Sequence, residues 1–554
     1  MLKTLLPLLL LGLLTASAGT SSAAATDTRF VITDHGAVGD GKILNTKAIQ
    51  STIDLCAAQG GGVLVIPSGT FLTGALFFKQ GVNLLVEKDA VLKSTTNMTD
   101  FPPIYTRWEG IERYWTPALL NFIGMSNVTV SGDGLIDGSG ENWPSGRGGR
   151  GRFGRGAGTA GNTTATASSG NVTTTPSSGN ATTPTLAANT TTDQSSNTPN
   201  PGRGFARNGA PAGPLPTVAE AYPGTLPSTA VLSLAPDPVR LPRINAAGIA
   251  LPGGAGLAAP RTLVFQNCRD VHVANLHVLN EAKWGVVFIY TDNVLAENLT
   301  IRNPEHNIPS SDCMDIDSCS HVLVTGCFFE CDDDCLSIKS GKDADGLRVN
   351  RPSEYITIEK THFAYGQGGA AMGSETSGGI RHVLVNDCLF SDGNWAPIRF
   401  KSQPSRSGVV EDITYSNITL DNTREAVEFN LAWDMRISNG APPAKVLPVV
   451  RDIKIINVTG TARTVGTIIG LAGSPITNVV FQNCNITAQT GLTLTHTANL
   501  DLSGLHLTVA RGDPVIYGSA ASASDNPANT DTPLTAQPAP PPSTATTPQT
   551  STQQ

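Results

Sequence analysis

The chain has 554 residues, of which 40% are apolar and only 15% charged, with a formal net charge of −8. That acid excess argues against a nucleic-acid partner, although local cations could still bind an anionic substrate. The length would allow several domains, but strand-sized units recurring from about Asp27 to Gly518 argue for one long solenoid.

In chain order, Lys3 precedes the apolar run Leu5 to Leu14, with small residues at Ala16-Ser-Ala18 and a second candidate cleavage point near Ala25. Residues 1–25 therefore read as a secretory signal, too short to span a bilayer. No later segment offers a membrane span, so an exported protein is expected, extracellular or periplasmic.

Residues 26–144 are expected to form N-terminal coils. Residues 145–259 open on the basic run Gly146-Arg-Gly-Gly-Arg-Gly-Arg-Phe and continue in Thr, Ser, Asn, Gly and Pro. Such a composition cannot bury enough apolar surface to offset its ordering entropy, which predicts a largely disordered insertion. The Pro/Thr-rich segment 519–554 is expected to be a disordered tail.

Between these segments, residues 260–518 repeat a small or polar residue followed by β-formers. Examples are Asp270-Val-His-Val, Asn293-Val-Leu-Ala, His321-Val-Leu-Val and Tyr355-Ile-Thr-Ile, foreshadowed by Asn127-Val-Thr-Val. The pattern continues at His382, Asp412, Asp452, Asn478 and Asn499, with spacings between 21 and 40 residues. Short Val/Ile/Thr strands without intervening helical periodicity predict an all-β, right-handed parallel β-helix with loops of variable length between its strands.

Nine cysteines are an odd number for an exported chain, so at least one is unpaired or pairs between chains. Most lie in or beside repeat strands, which favours buried, small apolar side chains over a disulfide framework.

Two acidic clusters, Asp312-Cys-Met-Asp315-Ile-Asp317 and Asp332-Asp333-Asp334, are separated by about one coil, so Asp312 and Asp334 are expected side by side on adjacent turns. Crowded carboxylates repel, and one tends to keep its proton near neutral pH. Gln367 and Arg399 follow at 33- and 32-residue steps, extending the expected column over four turns.

The segments Ser310–Cys319 and Asp332–Gly341 resemble the Asn-Thr-Asp and Gly-Asp-Asp regions of glycoside hydrolase family 28, the polygalacturonase family. Gly366–Glu375 is similar to its Gly-His-Gly region and Arg399-Phe-Lys401 to its Arg-Ile-Lys. Asp34–Gly41 is similar to the opening coil of pectin-acting β-helices. The resemblance implies an inverting hydrolase of pectic polysaccharide. Asp333 would be the general acid, while Asp312 and Asp334 would hold and deprotonate the attacking water. Adjacent strand residues face opposite ways, so Asp333 and Asp334 can share one site only where the chain bends. Arg399 and Lys401 would clamp a uronate carboxylate. Gln367 would contact substrate, and Trp395 is the aromatic most expected to stack on sugar. No cofactor or metal is implied, and a monomer is expected.

Three positions depart from the family pattern: Ser310 replaces Asn, Asp332 replaces Gly and Gln367 replaces His. Glutamine carries no transferable proton, so rhamnogalacturonan and substituted galacturonan stand beside plain galacturonan as candidate substrates. A Ca²⁺-dependent polysaccharide lyase and a non-catalytic carbohydrate-binding β-helix are the alternative functions.

Overall fold

The computed structural model describes residues 28–143, 259–391, 393–433 and 441–518. The expected signal 1–25, the insertion 145–259 apart from Ala259, and the tail 519–554 lie outside the described residues. No helix among the described residues is long and apolar enough to cross a membrane.

The chain winds as a right-handed parallel β-helix in which strands pair one coil apart and form three parallel ladders. One ladder, the site face, runs through Leu120–Ile123, Leu263–Gln266, Val286–Ile289, Met314–Asp317, Asp334–Lys339 and Asn394–Lys401. The latter half of His362–Met372 lies between the last two of these. Most ladder steps join neighbouring coils, as in Leu263↔Val286, whereas Leu120↔Leu263 reaches across the whole insertion.

All ten residues that open the sequence repeat, from Asn127 to Asn499, have φ between 53° and 58°. This left-handed conformation turns the chain sharply between two ladders, and Asn and Asp adopt it more readily than most side chains. Their side chains stack along the axis. Asn293 donates to Asp270 at 2.8 Å and Asn478 to Asp452 at 2.9 Å, while Tyr355 stacks between His321 and His382. A second corner carries an amide ladder in which Asn417 donates to Asn386 at 2.8 Å and accepts from Asn457 at 2.9 Å.

Inside, Phe78, Phe122, Phe265 and Phe288 stack at centroid distances of 4.2 to 5.2 Å. The helix Thr46–Ala58 packs the buried Ile49, Ile53 and Cys56 into this core. All nine cysteines are buried and free, in keeping with their expected role as small apolar filler.

One element does not follow the coil pattern. Ile104–Trp108 and Ile111–Trp115 form an antiparallel hairpin, where residues 26–144 had suggested only coils. All ten of its strand residues are buried. The hairpin crosses the site face: Arg107 pairs with Asp317 at 3.1 Å, and Gly110 accepts from the Lys342 amide at 3.0 Å.

Candidate active site

The register Met314↔Leu336 sets Asp312 opposite Asp334 on adjacent coils, as the spacing predicted. The chain bends at Asp332 and Asp333 before the strand Asp334–Lys339 begins. That bend leaves Asp333 half-buried while Asp334 is fully buried. It therefore releases the two neighbours from strict strand alternation.

The four-turn column is corrected by the register. Asp334 aligns with Gly368 and then Ala396, so Gln367 lies opposite Asp333 and Trp395, while Arg399 aligns with Ala371 and Ser337. Equal sequence spacing misplaced Arg399 because the intervening loops differ in length. The arginine reaches Asp334 through its side chain, with Nη1 3.0 Å from Oδ1, and its Nε lies 2.8 Å from Glu428. Lys401 pairs with the other Asp334 oxygen, which also accepts from Ser337 Oγ at 2.7 Å. Gly368 leaves room for this grip: a Cβ there would stand 2.3 Å from Asp334 Oδ1 and 3.0 Å from Arg399 Cδ.

A second cluster lies beside it. Lys339 stands 3.3 Å from Asp312, 3.2 Å from Asp315 and 3.5 Å from Glu375. The sequence reading did not assign Lys339 or Glu375, although Lys339 lies within the quoted motif and shares the outward parity of Ser337.

The carboxylates separate electrostatically. Burial raises Asp333 to about 6, with the charge of Asp334 adding to it and Lys401 and Arg399 opposing. Burial also pulls Asp334 upward, but Lys401 and Arg399 prevail and hold it well below the usual carboxylate range. Burial and then neighbouring Asp315 raise Asp312 well above that range, only partly offset by Lys339. Two adjacent residues thus carry a retained proton and a fixed negative charge, the division of labour that acid–base chemistry on a glycosidic bond needs.

Gln367 turns its amide to the Asp332 carbonyl at 2.9 Å. Beside it, His306 stacks on Tyr365 at 3.8 Å and lies 3.2 Å from Glu330. Trp395 has the Arg424 guanidinium 3.5 Å over its ring, so a cation already occupies one face. Trp433, which no motif marks, lies under Arg399 at 4.9 Å. Trp284 precedes its strand by two residues, as Asp312 does one coil later. Its ring carries Lys339 at 4.5 Å and stacks on Trp108, which stacks on Trp115. The register thus sets Trp284 beside Asp312, with Trp108 and then Trp115 continuing the stack. Among the described residues no group of His, Cys, Asp and Glu is arranged to hold a metal ion.

Residues 253–504 match the profile of Glycosyl hydrolases family 28. A "Probable polygalacturonase" of Vitis vinifera is 24% identical over 470 residues, covering 82% of this chain and 73% of that one. An "Exo-poly-alpha-D-galacturonosidase" of Dickeya chrysanthemi is 24% identical over 438 residues, covering 77% of this chain and 61% of that one. Among solved structures, an exopolygalacturonase from Thermotoga maritima superposes with a TM-score of 0.59 at 24% identity, covering 86% of this chain and 91% of that one. The family 28 exopolygalacturonase of Yersinia enterocolitica gives 0.57 at 19% identity, covering 89% and 78%. At these identities the two superpositions establish the fold alone.

Proposed function

We propose that this chain, which belongs to glycosyl hydrolase family 28, is a polygalacturonase-type hydrolase that cleaves pectic polysaccharide of the galacturonan or rhamnogalacturonan type by a single, inverting displacement. The observation that carries the reading is the pair Asp333 and Asp334: one retains a proton to about pH 6, and the other is held ionised between Arg399 and Lys401. Asp333 donates its proton to the departing glycosidic oxygen. A water between Asp312 and Asp334 attacks the opposite face of the sugar, oriented by Asp312 and losing its proton to Asp334. Arg399 and Lys401 fix the charge of Asp334 and face substrate beside Trp433. Gln367 and Trp395 lie on the same part of the site face and complete the substrate contacts. Residues 1–25 direct export.

The name of one similar protein, the exo-galacturonosidase of Dickeya chrysanthemi, favours attack near a chain end. Incubating the protein with galacturonan, rhamnogalacturonan and methyl-esterified pectin and sizing the products tests the whole reading. Saturated products from a uronate polymer are expected, with short products dominating from the first time points. An unsaturated, ultraviolet-absorbing product that disappears with chelator would replace hydrolysis by lysis. Binding without any product would leave a non-catalytic module.

A further inference from the structure

The cations of the site are unequally committed. Arg399 is shared by Asp334 and Glu428, Lys401 is held by Asp334, and Lys339 lies among Asp312, Asp315 and Glu375. Lys342 has Glu109 of the hairpin 3.7 Å away. Lys283 differs: among the described residues it makes no ion pair, and its Nζ donates only to the Pro309 carbonyl, at 3.4 Å. An ammonium has three donors, so two remain unused.

Its placement is fixed by the backbone. Lys283 precedes Trp284, and the amide of Gly285 donates to the Asp312 carbonyl at 2.8 Å, tying this segment to the strand that carries the aspartates. The side chain is half-buried, and burial lowers its pKa against the opposing pull of Glu109, Asp333 and Asp312. Its ammonium feels these carboxylates but is in contact with none of them among the described residues, and a half-buried charge without a contact partner is costly until one arrives.

We propose that Lys283 binds the carboxylate of the uronate ring lying on the Trp284 side of the aspartates, giving the site a second point of anion recognition apart from Arg399 and Lys401. The proposal rests on the pectic-substrate reading and adds a side-specific determinant to it. An ammonium meeting a carboxylate there forms a charge-assisted hydrogen bond that a methyl ester cannot match.

The test measures equilibrium binding of trigalacturonate and of its methyl ester to the full chain in an Asp333→Asn background, with and without Lys283→Met, Lys283→Gln and Lys283→Arg. Loss of the ammonium in the Met and Gln variants should weaken free-acid binding about tenfold or more, the usual weight of one such bond, and leave the ester unchanged. Lys283→Arg should stay within about threefold of the parent. Equal weakening on acid and ester, or none on the acid, would overturn the assignment. Product sizing on the wild-type chain is read separately: absence of products would remove the hydrolase reading while the acid-to-ester contrast still decides Lys283.

Discussion

The adjacent pair Asp333 and Asp334 gives the sharpest expectations at the residue scale. Asp333→Asn keeps size and hydrogen bonding but removes the transferable proton, so kcat should fall by roughly 10² to 10⁴. A turnover near the wild-type value would remove Asp333 from the acid role. Because Asp333 titrates at about 6 in the fold against 3.8 ordinarily, the activity of the wild type should decline as pH rises through 6. The same raised value means that the folded state binds this proton more tightly than the unfolded chain. The stability it contributes is complete below about pH 3.8 and lost between there and 6. Asp333→Asn should therefore melt higher than wild type at pH 7, with the gap closing towards pH 4. Gly368→Ala places a methyl against Asp334 and Arg399. It should cost roughly 1–3 kcal/mol of stability and at least a factor of about ten in turnover; unchanged melting and kinetics would show the grip on Asp334 to be dispensable. The apposition of Asp312 and Asp334 was legible from coil spacing, whereas Asp333, Arg399 and Lys401 were marked only by their motifs, since spacing alone set Arg399 at the wrong ladder position. Glu375, Glu428 and Trp433 were not legible: the contacts that recruit them span loops of unequal length, and no local pattern marks them.

The corners explain, at the scale of elements, why the coils were legible at all. A strand-sized run must turn within one residue, and the ten repeat-opening positions do so at positive φ, leaving Asn or Asp as visible punctuation at seven of them and His321, Tyr355 and His382 at the rest. Asn417 occupies such a corner with φ 55° and bridges Asn386 and Asn457. Asn417→Ala should cost about 1–2 kcal/mol from the left-handed backbone alone, with the two lost amide bonds adding to it. Asn417→Gly should recover the backbone part, and urea unfolding midpoints of the two variants measure the difference. Equal midpoints would mean that the corner carries no strain. The hairpin Ile104–Trp115 was illegible for the opposite reason. Every one of its strand residues is buried, so the alternation that identifies a half-exposed strand is missing. Arg107, Glu112 and Arg113 sit inside it, and their buried positions depend on partners such as Asp317 and Arg348, which sequence alone could not supply.

For the molecule as a whole, a solenoid is stabilised coil by coil, each ladder step joining residues close in sequence, and folding can start in any group of neighbouring coils and spread. The pairing Leu120↔Leu263 breaks that economy, since its partners are 143 residues apart, whereas Leu263 and Val286 are separated by 23. In an unfolded chain the longer closure costs about 1.6 kcal/mol more entropy. If that cost falls on the barrier, this step is slowed about fifteenfold relative to its neighbours. Pulse-labelled hydrogen exchange during refolding should then show the amides that bond across this step, such as Leu120 to the Thr262 carbonyl and Arg269 to the Met125 carbonyl, protected after those within either group of coils; simultaneous protection would show that the long closure is not limiting. For a chain emerging from a ribosome the order of synthesis runs the other way. Its first coils must wait, edges unpaired, until more than a hundred further residues have been made, which makes the strand Leu120–Ile123 the point where a chaperone or a premature neighbour would most readily intervene.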